Sequence, residues 1–294
     1  MSSIKRAELA TGEKNRVEAG MLYLVATPIG NLADLSERAI KVLSEVDFIA
    51  AEDTRNSMRL LSHLGISKPM VSYFEHNKRE RGEQIADRLA AGESCALITD
   101  AGTPAISDPG EDLVALCAAR SIPVSSVPGP VASIVALTLS GLPTGKFCFE
   151  GFLSVNKGER RAHLSLLKTE TRTMLFHEAP HKLRTTLDDF LAAFGGDRRI
   201  AICRELTKLN EEVLRMTLAD AVAYYSERDP RGEYVLVLEG ASDSNDQSLA
   251  FWTNLDIPSH VAQYIAQGLS KMDAIKQTAK DRGLPKNDVY KMMV

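Results

Sequence analysis

The sequence predicts an α/β protein: a parallel-sheet N-terminal domain, a second α/β domain with a mixed sheet, and a small helical C-terminal tail. Three observations carry this. From Met21 onward, short apolar runs alternate with stretches of helical period, the pattern of right-handed βαβ units. Loops of small residues and prolines follow three of those runs, at 27–31, 100–110 and 128–130. Beyond Phe152 the composition turns basic, and the link Leu206–Glu211 between two strand-like runs is too short for a helical crossover, so the second sheet must be mixed.

Met21–Ala26 reads as the first buried strand, and Asp34 with Glu37 has the spacing of a capping box opening the first helix. Strands follow at Asp47–Ala51, Met70–Phe74, Cys95–Thr99 and Pro123–Val127, with helices over Asn56–Leu64, Gly82–Ala91 and Glu111–Arg120. An Ala/Val/Leu-rich helix after Pro128-Gly129-Pro130 stops at Gly141. The second unit offers strands at Thr173–His177, Arg199–Arg204, Glu212–Thr217 and Glu233–Glu239. The expected division is a loose leader over 1–20, domains over 21–150 and 151–240, a polar linker over 241–249 and a helical segment over 250–294.

A chain of 294 residues with 44% hydrophobic and 25% charged residues is ordinary for a soluble globular protein. A net charge of −4 requires any nucleic-acid surface to be a local patch. The four cysteines lie far apart with no C-x-x-C pair, which fits reduced, buried thiols and a cytoplasmic location. No run reaches the ~18 apolar residues of a membrane span, so no membrane partner is expected.

The stretch 94–110, SCALITDAGTPAISDPG, joins a buried strand to a loop of small residues stiffened by Pro104 and Pro109. Such a loop at a strand's carboxyl end is where open α/β sheets hold ligands, since small residues admit close backbone approach. Neither G-x-G-x-x-G nor a P-loop is present, so the ligand is not gripped by its phosphates. Asp53 lies where a dinucleotide fold would place its ribose acid, or else caps the next helix. His177-Glu178-Ala179-Pro180-His181 matches the zinc-protease string H-E-x-x-H. Pro180 nevertheless forces Ala179 off helical angles and assigns the two histidines to different elements, so a metal site is not expected. Residues 153–184 hold seven Lys or Arg against three acids, with Lys157, Arg160 and Arg161 just past the domain boundary. The tail resembles a small helix-turn-helix in spacing, and a packing appendage or dimer arm is the alternative reading.

The strings LYLVATPIGNLADLSERA, IAAEDTR, ITDAGTPAISDPG, VPGPVASIVALTLSGLP, FEGFL and RELTK closely resemble the ribosomal RNA small subunit methyltransferase I family of the tetrapyrrole-methylase superfamily. The resemblance spans about Met21 to Gly240. It implies a tetrapyrrole-methylase-like fold that binds S-adenosylmethionine between its halves, without metal. It also implies 2′-O-methylation of a cytidine ribose in 16S ribosomal RNA, presented as RNA or as the assembled small subunit, by a homodimer. Carried over by motif, the cofactor contacts are Pro28, Ile29 and Gly30, then Gly102, Thr103 and Ile106, then Ala132, with Phe176, Leu206 and Gly232 from the second domain. A ribose hydroxyl needs help losing its proton, for which Asp100, Asp53 and Glu178 are the candidates. Arg55, Lys157, Arg160 and Arg161 are the candidate RNA contacts. A methylase acting on a tetrapyrrole or another small molecule would use the same fold. A non-catalytic RNA-binding protein would have no need of formed cofactor loops.

Overall fold

The computed structural model describes residues 16–242, 252 and 255–293. Most of the expected leader and linker therefore lies outside the described residues. Two compact units are formed, one of Met1–Ser165 with Thr173–Glu239 and a smaller one of Leu166–Arg172 with Gly240–Val294.

The larger unit holds two five-stranded sheets. The first is parallel throughout, ordered β3-β2-β4-β1-β5, from β1 (Leu22–Val25), β2 (Phe48–Ala51), β3 (Met70–Ser72), β4 (Cys95–Ile98) and β5 (Val124–Val127). Its three inner strands β2, β4 and β1 are apolar on both faces because both faces are covered. Leu22, Phe48, Cys95 and Leu97 pack against Ile85 and Leu89 of α3 (Lys78–Ala90) and Leu113 and Cys117 of α4 (Gly110–Ala119). On the opposite face Tyr23, Val25, Ile49 and Ile98 meet Val42 and Leu43 of α1 (Glu37–Glu45) and Leu61 of α2 (Thr54–His63).

The second sheet is ordered β6-β7-β10-β8-β9, from β6 (Phe147–Phe152), β7 (Thr173–Glu178), β8 (Arg199–Arg204), β9 (Glu212–Thr217) and β10 (Tyr234–Leu238). Only β6 and β7 pair in parallel, joined through α6 (Lys157–Leu166), and the remaining pairs are antiparallel. The mixed sheet expected from the short Leu206–Glu211 link is thus present. One face packs on α5 (Ala132–Ser140), through Leu175, Cys203, Val235 and Val237 against Ala136 and Leu137. The other face meets α7 (Leu183–Phe194), where Phe176 lies 4.9 Å from Phe190, and α8 (Leu218–Ser226), whose Tyr225 meets Tyr234 at 6.1 Å.

One expected cap is corrected. The first helix is capped by Ser36, whose hydroxyl accepts from Ala39 N at 3.1 Å, while Asp34 ends a preceding 3-10 turn capped by Asn31. Ser36 stands three residues before Ala39 and satisfies its orphan amide, two positions beyond the Glu37 amide that a cap at Asp34 would serve.

In the smaller unit, α9 (Ile257–Ala266), α10 (Lys271–Asp281) and α11 (Lys286–Lys291) close around Val261, Ile275 and Val289. Asp256 and Ser270 cap the first two of these helices. Among the described residues no helix is long and apolar enough to cross a membrane.

Candidate active site

Because β1, β4 and β5 are parallel, the loops that leave their carboxyl ends share one edge of the sheet. They are also bonded together. Thr27 and Gly102 exchange backbone hydrogen bonds, and the Thr103 hydroxyl donates to Pro130 O at 3.0 Å. Asp108 organises the middle loop from within: Oδ1 accepts from Ala105 N and Gly110 N, and Oδ2 accepts from Ile106 N. Those bonds hold Ala105 and Ser107 at φ of 66° and 63°, a left-handed conformation that non-glycine residues adopt at a cost. The Tyr73 hydroxyl donates to Pro109 O at 2.9 Å and fixes the loop's exit.

Beside these loops lies a cavity of about 550 Å³. On one side are Ile29, Gly102, Thr103, Ile106 and Ala132, five of the residues expected to hold the cofactor. Facing them are residues of the second sheet and its loops, among them Phe152, His177, Cys203, Leu206 and Val235. Gly102, at φ +84°, takes a conformation that favours glycine. Gly30 is packed against the 205–208 loop, where a Cβ would collide with the Lys208 side chain and stand 3.1 Å from Leu206 O. Val131 opens α5 without a side-chain cap, and Val131, Ala132 and Ser133 all line the cavity.

Pro28 and Gly30 flank Ile29 without lining the cavity themselves. Gly232 precedes the lining residues Glu233 and Tyr234 and packs on Glu205. Phe176 is a correction: its ring is fully buried against Phe190 on the far face of the sheet, because alternation along β7 gives the cavity face to His177.

The three carboxylates divide. Asp53 caps α2, accepting from Arg55 N at 2.8 Å, and Arg55 holds its carboxyl below the usual carboxylate range. The capping role weighed for Asp53 is therefore the one the structure displays. Glu178 is among the cavity residues, but its carboxylate is buried toward α7, accepting from the Thr186 hydroxyl and from Ala179 N at 2.8 Å. Asp100 is exposed, outside the cavity lining, and accepts from Asn56 Nδ2 at 3.3 Å.

Among the basic residues Arg160 is also corrected. Its guanidinium lies 2.6 Å from Asp189, with side chains only 11% and 14% exposed, and donates to Ser154 O as well. These bonds serve the packing of α6 on α7 rather than a free phosphate-binding surface. Lys157 and Arg161 are exposed on α6, and the Arg55 side chain is 89% exposed.

The histidines of the H-E-x-x-H string are separated as expected, His177 in β7 and His181 in a 3-10 turn. Among the described residues no group of three His, Cys, Asp or Glu side chains could hold a metal. His177, considered in the sequence only as a metal ligand, proves to be a cavity residue. Burial holds its pKa below the ordinary histidine value, and its Nε2 is buried with no hydrogen-bond partner. An orphan of that kind costs about 1–3 kcal/mol.

The site's loops and fold have relatives. The model of the tetrapyrrole (corrin/porphyrin) methylases matches residues 21–222. A ribosomal RNA small subunit methyltransferase I of Halalkalibacterium halodurans is 48% identical over 94% of this chain and 96% of its own length. The protein of that name from Synechocystis is 44% identical over 93% and 97%. Among solved structures, uroporphyrin-III-C-methyltransferase from Thermus thermophilus is 18% identical, with a TM-score of 0.55 over 75% of this chain and 94% of that one. A second structure of a Thermus thermophilus uroporphyrin-III C-methyltransferase, complexed with S-adenyl homocysteine, is also 18% identical, with a TM-score of 0.51 over 74% and 97%. The solved structures share the fold, while the relatives are 48% and 44% identical along nearly their whole length. On that evidence the chain belongs to the ribosomal RNA small subunit methyltransferase I family, within the tetrapyrrole methylases.

Proposed function

We propose that this protein transfers a methyl group from S-adenosylmethionine to the 2′-oxygen of a cytidine ribose in 16S ribosomal RNA. The observation that carries this reading is the three-loop cavity in a chain 48% identical to a ribosomal RNA methyltransferase. A volume of about 550 Å³ with largely apolar walls and a few fixed polar groups suits a ligand of that size. Bound there, S-adenosylmethionine supplies a sulfonium methyl that an oxygen nucleophile can take by in-line displacement.

The protein's own residues supply binding and alignment. Ile29, Ile106, Ala132 and Leu206 give apolar contact, and Gly102 lets the backbone come close. The Thr103 hydroxyl is spent on Pro130 O. The uncapped amino end of α5 then offers backbone N–H groups for the cofactor's carboxylate, favoured by the helix dipole. Pro28 and Gly30 fix the first loop, and Gly232 and the backbone at Phe176 fix the second-sheet wall. Lys157, Arg161 and Arg55 contact RNA phosphates. The enzyme works in the cytoplasm, as a homodimer, on RNA or the assembled small subunit.

The test is mass mapping of methylated ribose in small-subunit RNA from cells with and without the protein. The reading requires one 2′-O-methylcytidine to disappear with it. Unchanged ribose methylation, or loss of a base methylation instead, would overturn it.

A further inference from the structure

On the basis of that function, we propose that His177 is the group that takes the proton from the attacking ribose hydroxyl, at Nδ1. A row of paired residues crosses the second sheet: Phe152 beside His177, His177 beside Val235, and Val235 beside Cys203. Paired residues share a face, and all four line the cavity. His177 interrupts a row that is otherwise apolar or thiol, where a leucine or valine would pack at no polar cost.

Its ring is held from two sides. Phe149 lies 5.2 Å away and Phe152 5.4 Å away, both edge-on with interplanar angles of 73° and 80°. Nε2 is fully buried while the residue as a whole keeps partial exposure. Nε2 has no hydrogen-bond partner, so the proton-accepting role is assigned to Nδ1, whose lone pair is free when Nε2 carries the N–H. The ring edge carrying Nδ1 is then the one left to meet a ligand.

Four of the other titratable groups around the cavity are bonded or held protonated, and the fifth, His181, is exposed. The Glu178 carboxylate is bound by Thr186 and Ala179 N. Glu233 is paired with Lys208 at 2.9 Å. Burial pushes the Cys203 thiol up to about 12, so it stays protonated. The Tyr234 hydroxyl accepts from Arg231 N, and His181 is exposed on its 3-10 turn. Of these groups, the charge of Glu233 favours imidazolium at His177, but burial outweighs it and keeps His177 neutral near pH 7. In the step itself the O–CH3 bond forms as the S–CH3 bond breaks. The hydroxyl proton passes to Nδ1, and the imidazolium later returns it to water.

The test uses the full-length protein with small ribosomal subunits, comparing wild type with His177→Asn and His177→Ala. Asn keeps a polar atom near the position of Nδ1 but has no basicity. Both variants are expected to lose about a hundredfold or more in single-turnover rate, with S-adenosylhomocysteine affinity by calorimetry within about threefold. The wild-type rate should fall on acidification below pH ~6.5 as the imidazole is protonated, and that limb should vanish in both variants. Independently of activity, the His177 imidazole signals in NMR should titrate below the ordinary histidine value. They should also shift when a cytidine-containing RNA fragment binds beside S-adenosylhomocysteine. Rates within about fivefold of wild type, or a rate loss matched by lost cofactor affinity, would overturn the role and leave the proposed function standing. A wild-type protein that methylates no small-subunit RNA would instead overturn the function, and this role with it.

Discussion

Thr27 and Gly102 exchange both backbone hydrogen bonds, at 2.9 and 3.1 Å, and so lock the loop after β1 to the loop after β4. With Thr103 bonded to Pro130 in addition, the three loops behave as one preformed wall. Ligand binding then requires little further ordering of the chain.

Gly102→Ala is expected to weaken this wall through its backbone. At φ +84° an alanine is strained by about 1–2 kcal/mol, although its Cβ would meet Ile29 and Pro130 only at ordinary contact distances of 3.4 and 3.6 Å. Calorimetry should show S-adenosylhomocysteine binding about tenfold weaker, with Tm lower by a few degrees. Unchanged affinity would place the cofactor elsewhere.

Arg160 and its neighbours should separate stability from RNA binding. Arg160→Ala leaves the Asp189 carboxylate, 14% exposed, without its partner. The expected cost is about 3 kcal/mol in unfolding free energy, read by urea denaturation. Lys157→Ala and Arg161→Ala should leave stability unchanged and weaken binding to every RNA alike. Each should flatten the salt dependence by about one unit or less, measured by filter binding over a salt series.

Two of the three carboxylates first considered as bases, Asp100 and Asp53, should prove dispensable for the chemical step. Asp100→Asn retains a partner for Asn56, and Asp53→Asn retains a helix cap. Single-turnover rates at saturating cofactor are expected within about fivefold of wild type for both. A hundredfold loss in either would transfer the proton-accepting role to that residue.

His181→Ala should leave metal content at background, because β7 ends between the two histidines of the string and Pro180 starts the 3-10 turn that holds His181. Elemental analysis of the purified protein is the check. Stoichiometric zinc that the substitution removes would contradict it.

The fold was legible where local rules and burial agree. The apolar runs of β1, β2 and β4 needed no partner to be recognised, and a short link forces β8 and β9 to be antiparallel. Loop composition likewise marked the ligand-holding loops, and the family resemblance named Ile29, Gly102, Thr103, Ile106 and Ala132 within them, all of which line the cavity. What could not be read was side-chain commitment across long separations. Arg160 meets Asp189 from 29 residues away, and nothing local distinguishes it from the exposed Arg161. Phe176 and His177 are adjacent, and only the register of β7 decides which one faces the cavity. Strand alternation could have raised His177, since Leu175 shares its face, but the zinc-like string drew attention to metal instead.

The most direct measurement is transfer of label from methyl-labelled S-adenosylmethionine to unmodified small ribosomal subunits by the purified protein, followed by nuclease digestion and mass analysis. The account predicts a single labelled nucleoside, 2′-O-methylcytidine, at no more than one per subunit. Label on a base, on protein, or on no component of the subunit would contradict it.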